Sequence, residues 1–145
     1  MVCEFRDIPF DAKDWPDQKW PASLNELVQA WLAYHQDDGD GQDNPNFWTT
    51  ISVYELSHDH PEWAWKFILA TLDGLIHAPN NKAFAILAAG ALEDLLAYHG
   101  PTYIDEVETE ARRSPDFRRL LGGVWQNSMS DEIWQRVLKA APDRW

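Results

Sequence analysis

The stretch KAFAILAAGALEDLLAYHG, residues 82–100, decides the fold class. Its apolar side chains surround a helical wheel almost completely, which is typical of a helix buried in the centre of a domain. Asn80 or Asn81 can cap its first turn, and Gly100 has the backbone freedom for a left-handed helix stop. The sequence therefore predicts a central helix over residues 82–99.

The central helix carries a carboxylate at an unexpected position. At about 100° per residue, Glu93 points in the direction of small and apolar side chains, which predicts a buried position. A buried carboxylate needs a partner, so Glu93 is either a general acid or ligand, or half of a structural ion pair with an arginine. Gly90 costs about 1 kcal/mol relative to alanine inside a helix, which close approach of a second helix would explain. The residues that share this direction are Ile86, Ala89, Gly90 and Ala97, and the candidate arginines are Arg112, Arg113, Arg118 and Arg119.

Further helices are predicted on both sides of the central one. Ser23 and Glu26 form a capping box, Pro61 occupies a first helical turn, and Ser114 and Ser130 are in capping positions. No segment alternates with period two over a useful length. The sequence predicts an all-α domain of about seven short helices, for which a stack of helical hairpins is one arrangement. The outer helices are expected over residues 23–35, 45–56 or 47–56, 61–78, 102–113, 114–121 and from 130 onward.

The first 22 residues differ in composition from the remainder. Pro9, Pro16 and Pro21 interrupt any helix there, whereas the aromatic residues of the same segment favour packing onto the body. The expected organisation is an irregular N-terminal segment, residues 1–22, and a single helical domain, residues 23–145.

Composition excludes several classes of function. The 24 acidic and 12 basic residues give a formal charge of −12, which argues against a nucleic-acid binder and against an electrostatic membrane anchor. No apolar run approaches the roughly 20 residues of a membrane span. The single cysteine, Cys3, permits no internal disulfide. Because the start of the chain lacks the pattern of a signal peptide, a cytoplasmic location is expected.

The negative charge is concentrated. Residues 20–65 contain eight acidic side chains and no lysine or arginine. Nine tryptophans are an unusual number for this length, and large aromatic side chains anchor many protein interfaces. This stretch is therefore the expected partner-binding face, and the alternative is that its acidity serves only solubility. Its candidate contact residues are Asp37, Asp38, Asp40, Asp43, Glu55, Asp59 and Glu62, with Trp48 and Tyr54 as aromatic anchors.

Two segments invite a metal-binding interpretation. The Asp-rich loop, residues 37–46, fails the EF-hand pattern in every register, because glycine and glutamate do not fall at the sixth and twelfth positions. His58 and His60 could ligate a metal together with Asp59 or Glu62, although their spacing matches no established zinc motif. The alternative is that these residues lie at helix termini, where their charges interact with helix dipoles. No metal or cofactor is predicted.

Three segments together resemble a small bacterial family of domains of unknown function. They are GALEDLLAYHG at residues 90–100, FRRLLGGVW at residues 117–125, and Ile133-Trp134. The resemblance covers about residues 24–140 and implies a compact, mostly helical bacterial domain. It places Glu93, Asp94 and His99 in a motif whose role is either catalytic or architectural.

These observations support three hypotheses of different classes. The first is an acidic protein-binding module, of the type of an immunity protein that neutralises a basic bacterial toxin, because negative potential accelerates association with a basic partner. The second is a metal-assisted hydrolase that uses Glu93, His99 and the pair His58 and His60. The third is a helical scaffold protein.

Overall fold

The computed structural model describes residues 23–36 and 43–145, and every regular element within these ranges is a helix. The predicted all-α class is confirmed. A π-helical turn joins α4 to α5 without a break, so the seven described α-helices form six continuous rods. The elements are α1 (Leu24–Gln36), α2 (Trp48–Asp59), α3 (Pro61–His77), α4 (Asn81–Leu87), the π turn (Ala88–Leu92), α5 (Glu93–Arg113), α6 (Pro115–Leu121) and α7 (Asp131–Ala140).

Short polar side chains begin four of these helices, as their sequence positions predict. Each accepts a hydrogen bond from the backbone N–H three residues later, at 3.1–3.2 Å, and so satisfies a donor that the helix leaves free. The four capping residues are Ser23, Asn80, Ser114 and Ser130. These local interactions explain why the predicted starts of α1, α6 and α7 agree with the structure to within a residue or two.

The junction of α2 and α3 corrects one predicted boundary. The prediction ended α2 at Leu56, but the helix continues to Asp59, and His60 alone separates it from α3. The N–H of His60 donates to the Leu56 carbonyl at 2.9 Å. Pro61 has no N–H to continue this ladder and begins α3 instead.

The core lies around the rod formed by α4, the π turn and α5. Leu87, Leu92 and Leu95 of this rod are fully buried, as are Phe67 of α3 and Phe117 of α6. Within the rod, α5 contacts α2, α3, α6 and α7, and α4 contacts α1. The interpretation of this segment as central is therefore correct.

The predicted end of the central helix at residue 99 coincides with a kink between two helical segments, and the second segment matches the helix predicted over residues 102–113, but the predicted left-handed stop at Gly100 is wrong. The chain bends at His99, whose φ of −134° and ψ of 25° are not helical, and then continues as a helix to Arg113. Pro101 lacks the N–H for the ladder at this point, which accounts for a kink rather than an end. A Cβ at Gly100 would stand 3.2 Å from Cγ2 of Ile133, which is closer than an ordinary contact, so a larger side chain there would require Ile133 of α7 to shift slightly.

The predicted burial of Glu93 is also wrong. The face that Glu93 shares with Ala89, Gly90 and Ala97 is partly or fully exposed, and the leucines of the rod mark the opposite, buried face. Both faces are apolar in composition because alanines lie on each, so helical periodicity alone favoured the wrong one. Among residues 23–36 and 43–145, no atom outside the adjoining backbone lies within 4 Å of the position that a Cβ at Gly90 would occupy, so none of the described helices makes the expected contact there.

Some predictions concern residues outside the described ranges. These include the packing of residues 1–22, the position of Cys3 and most of the Asp-rich loop, with Asp37, Asp38 and Asp40. Within residues 23–36 and 43–145, no helix is both long and apolar enough to cross a membrane.

Candidate functional site

The last turns of α2 meet α5 just before its kink, and three aromatic rings pack there at a tilt, with interplanar angles of 42° and 40°. The His58 ring lies between the rings of Tyr54 and Tyr98, with centroid distances of 4.1 and 3.8 Å. Tyr54 and Tyr98 are half exposed, at 50% and 48%. We call these three residues the aromatic stack, which offers two tyrosine rings to an approaching molecule.

Helix geometry and one hydrogen bond between helices position the stack. Tyr54 and His58 are four residues apart on α2 and so share a face. His99 Nε2 lies 2.7 Å from the backbone oxygen of His58, and because a carbonyl oxygen only accepts, His99 donates through Nε2. This carbonyl lies in the last turn of α2, where no helical N–H remains to pair with it. His99 thus ties the end of α2 to the kink beside Tyr98.

Carboxylates surround the aromatic stack. Burial raises the pKa of the half-buried Asp94 carboxyl, the nearby His58 opposes this, and the adjacent Glu93 adds to it. Burial also raises the pKa of Glu55, which is increased further by a hydrogen bond and by repulsion from Asp59. Ionisation of Asp94 and Glu55 is therefore less favourable in the free protein than for the same carboxyl groups in water, so a nearby cation would stabilise their ionised forms.

The ring nitrogens do not converge into a metal site. His58 Nε2 is buried and has no hydrogen-bond partner among the described residues, while Nε2 of His99 is engaged with a carbonyl. Across the part of the chain that the structure describes, no group of three or more histidine, cysteine, aspartate or glutamate side chains could hold a metal ion. His58 and His99 are close, but Glu93 is directed elsewhere.

Glu93 binds a loop rather than an arginine. Its carboxylate accepts hydrogen bonds from the backbone N–H of Trp125 at 3.0 Å and from Nδ2 of Asn127 at 3.2 Å. The expected ion pair with an arginine is therefore wrong, since Glu93 holds the segment between α6 and α7. The four candidate arginines are engaged elsewhere: Arg112 with Thr109, Arg113 with Glu110, Arg118 with the Ala111 carbonyl, and Arg119 over the Phe84 ring.

Acidic and aromatic residues continue beyond the stack, between α3 and α5. Tyr103 lies against Trp65 with ring centroids 6.2 Å apart. Burial raises the pKa of Tyr103, and the negative charges of Glu62 and Glu106 raise it further. We call the aromatic stack, its carboxylates and this extension the acidic–aromatic face. It consists of Tyr54, Glu55, His58, Asp59, Glu62, Trp65, Asp94, Tyr98, Tyr103 and Glu106.

The structure places some of the predicted contact residues on the acidic–aromatic face and others away from it. Tyr54, Glu55, Asp59 and Glu62 lie on the acidic–aromatic face. Trp48 is partly buried and packs against the core, and Asp43 is exposed shortly before α2. Sequence reasoning missed Tyr98 and Tyr103, which lie outside the strongly acidic stretch. Tyr98 was inside a quoted motif, next to His99, but no local signal placed it against His58.

The fold and this face define an all-α protein with exposed aromatic side chains among carboxylates. A family of unknown function (DUF6869) matches residues 35–144, and the chain belongs to this family. No curated protein and no solved structure matches the chain.

Proposed function

We propose that this chain is a protein-binding module that recognises a basic protein partner through the acidic–aromatic face. In its specific form, the proposal is an immunity-type inhibitor that neutralises a basic bacterial toxin in the cytoplasm. The observation that carries it is the pair of half-exposed tyrosines, Tyr54 and Tyr98, packed on both sides of His58 among the carboxylates of Glu55, Asp59 and Asp94.

The two chemical components of this face have separate roles in binding. Tyrosines provide large contact areas at low entropy cost and dominate the affinity of many interfaces. The rings of Tyr54 and Tyr98 are already held by His58, so little side-chain freedom remains to be lost. The carboxylates attract a basic surface at long range and accelerate the encounter. Affinity is thus assigned to the rings, and association rate to the charges.

The raised pKa values give this proposal a pH dependence. A cationic partner favours the ionised forms of Asp94 and Glu55, whose pKa values are higher than usual in the free protein. Binding therefore releases protons, and association strengthens as the pH rises through these values. Stopped-flow association rates at several pH values and salt concentrations measure both effects.

The decisive experiment compares three full-length proteins as baits in a lysate of the source cell. They are the natural chain, the double variant Tyr54→Ala with Tyr98→Ala, and the control Glu132→Gln, which changes an exposed carboxylate on α7. Circular dichroism and urea unfolding establish that all three are folded. We expect a protein of pI above about 9 to bind the natural chain and the control but not the double variant.

The specific form requires a second readout in living cells. We expect the captured basic protein, produced alone, to arrest growth, and the natural chain and the control to restore it. Equal protection by the double variant would overturn the assigned face. Capture of only acidic or neutral proteins, or of a basic protein that leaves growth unaffected, would overturn the module or its immunity function, respectively.

A further inference from the structure

An open groove lies between α3 and the C-terminal half of α5. Its volume is about 340 Å³, near the lower end of the roughly 300–1,000 Å³ found for ligand pockets. Trp65 and Leu69 of α3 provide apolar surface, while Asp105, Glu106 and Glu110 of α5 contribute three carboxylates. The groove therefore combines an apolar wall with an acidic one.

The three carboxylates differ in how far they are already paired. Asp105 is held by Arg136 of α7 at 2.6 Å. Glu110 pairs with Arg113 at 2.8 Å, and its side chain is only 16% exposed although it is charged. Glu106 is exposed and forms no ion pair with any other described residue. The groove thus has one unpaired carboxylate at its edge and one mostly buried carboxylate that already binds a guanidinium.

We propose that this groove receives an arginine side chain of the basic partner. A guanidinium is planar, stacks on aromatic rings and forms forked hydrogen bonds to carboxylates, so it matches Trp65 together with Glu106 and Glu110. A lysine ammonium fits less well, because it is a compact and strongly hydrated point charge. The Arg113–Glu110 pair is an intramolecular example of the same contact at one end of the groove. This inference rests on the proposed function but concerns a groove that shares only Trp65 and Glu106 with the acidic–aromatic face and is distinct from the aromatic stack.

The test uses a blocked Gly-Arg-Gly peptide as a probe of the full-length protein. Matched peptides carry lysine, or citrulline, which has the shape of arginine without its charge. Nitrogen-15 NMR follows the indole N–H of Trp65, assigned through Trp65→Phe, and the amides of residues 105–113. We expect the arginine peptide to shift these signals, the lysine peptide to bind several-fold more weakly, and citrulline to leave them unchanged.

Variants then establish which carboxylates bind. Glu106→Gln combined with Glu110→Gln should weaken the arginine peptide about tenfold, as expected for two partly exposed charge contacts. Glu132→Gln on α7 should leave its affinity unchanged. Equal shifts from arginine and citrulline, or shifts only at Tyr54 and Tyr98, would overturn the inference. Signals that broaden with protein concentration alone would show a second copy of the chain in the groove and would also overturn it.

The partner experiment separates this inference from the proposed function. If the groove variant still binds the captured basic protein as tightly as the natural chain while Tyr54→Ala with Tyr98→Ala does not, the groove assignment is wrong and the module stands. If the arginine peptide binds the groove but no basic protein is captured by any bait, the proposed function is wrong instead.

Discussion

Replacing Glu93 by alanine should destabilise the protein without altering partner binding directly. The carboxylate accepts two hydrogen bonds from the segment between α6 and α7, at 3.0 and 3.2 Å. Hydrogen bonds to charged groups contribute about 1.5–3 kcal/mol when buried, but this carboxylate and its donors are partly exposed to water. We therefore expect a loss of about 2 kcal/mol for Glu93→Ala and about 1 kcal/mol for Glu93→Gln, which keeps one acceptor.

Urea unfolding followed by far-UV circular dichroism measures these losses, with Glu132→Gln as the exposed control, expected within about 0.5 kcal/mol. A double-mutant cycle with Asn127→Ala isolates the second hydrogen bond and should show a coupling of about 0.5–1 kcal/mol. If Glu93→Ala retained full stability and lost growth protection, the architectural role of Glu93 would be refuted, and the carboxylate would have to act on the partner itself.

Three other perturbations test the packing. Gly123→Ala should be destabilising because its Cβ would lie 2.4 Å from the Trp145 ring, and the penalty should largely disappear in a Trp145→Ala background, as a thermal-melt cycle can verify. Gly100→Ala should cost about 1–3 kcal/mol of stability and so lower the melting temperature by several degrees. Gly90→Ala, in open space, should not lower it, and equal effects of the two changes would contradict the packing. Burial, with a contribution from a nearby lysine, lowers the pKa of His35 from 6.5 to about 4, so its neutral form contributes stability that is lost as the pH falls through this interval. The free energy of unfolding of His35→Leu should therefore decrease less than that of the natural chain between about pH 7 and about pH 4.5. An equal decrease for the two proteins, measured by urea unfolding at each pH, would contradict this.

Helix starts could be predicted from the sequence because the interactions that fix them are local. Ser114 and Ser130 each cap through a bond to an amide only three residues away, and Pro61 acts through its own ring. The break after the central helix was predicted to within a residue, but its geometry, a kink and not a left-handed stop, could not be predicted in this way. Gly100 looked like a stop, but its missing side chain serves contact with Ile133, which lies 33 positions along the chain and on another helix.

The site was predictable only on the side where charge accumulates. The acidic stretch predicted Glu55, Asp59 and Tyr54, because composition reveals charge directly. Tyr98 is on the same surface only because α5 packs on α2, and no sequence period encodes that packing. Glu93 was misassigned because the apolarity of alanine does not distinguish a face turned to the core from one turned to solvent.

The bend at His99 lies between two contacts that α5 makes with other helices. On one side of the bend, Gly100 lies close to Ile133 of α7, and on the other, Tyr98 contacts the His58 ring, which also contacts Tyr54. The same bend thus places Tyr98 beside His58 and Gly100 beside Ile133, and the hydrogen bond from His99 to the His58 carbonyl joins the two helices at that point.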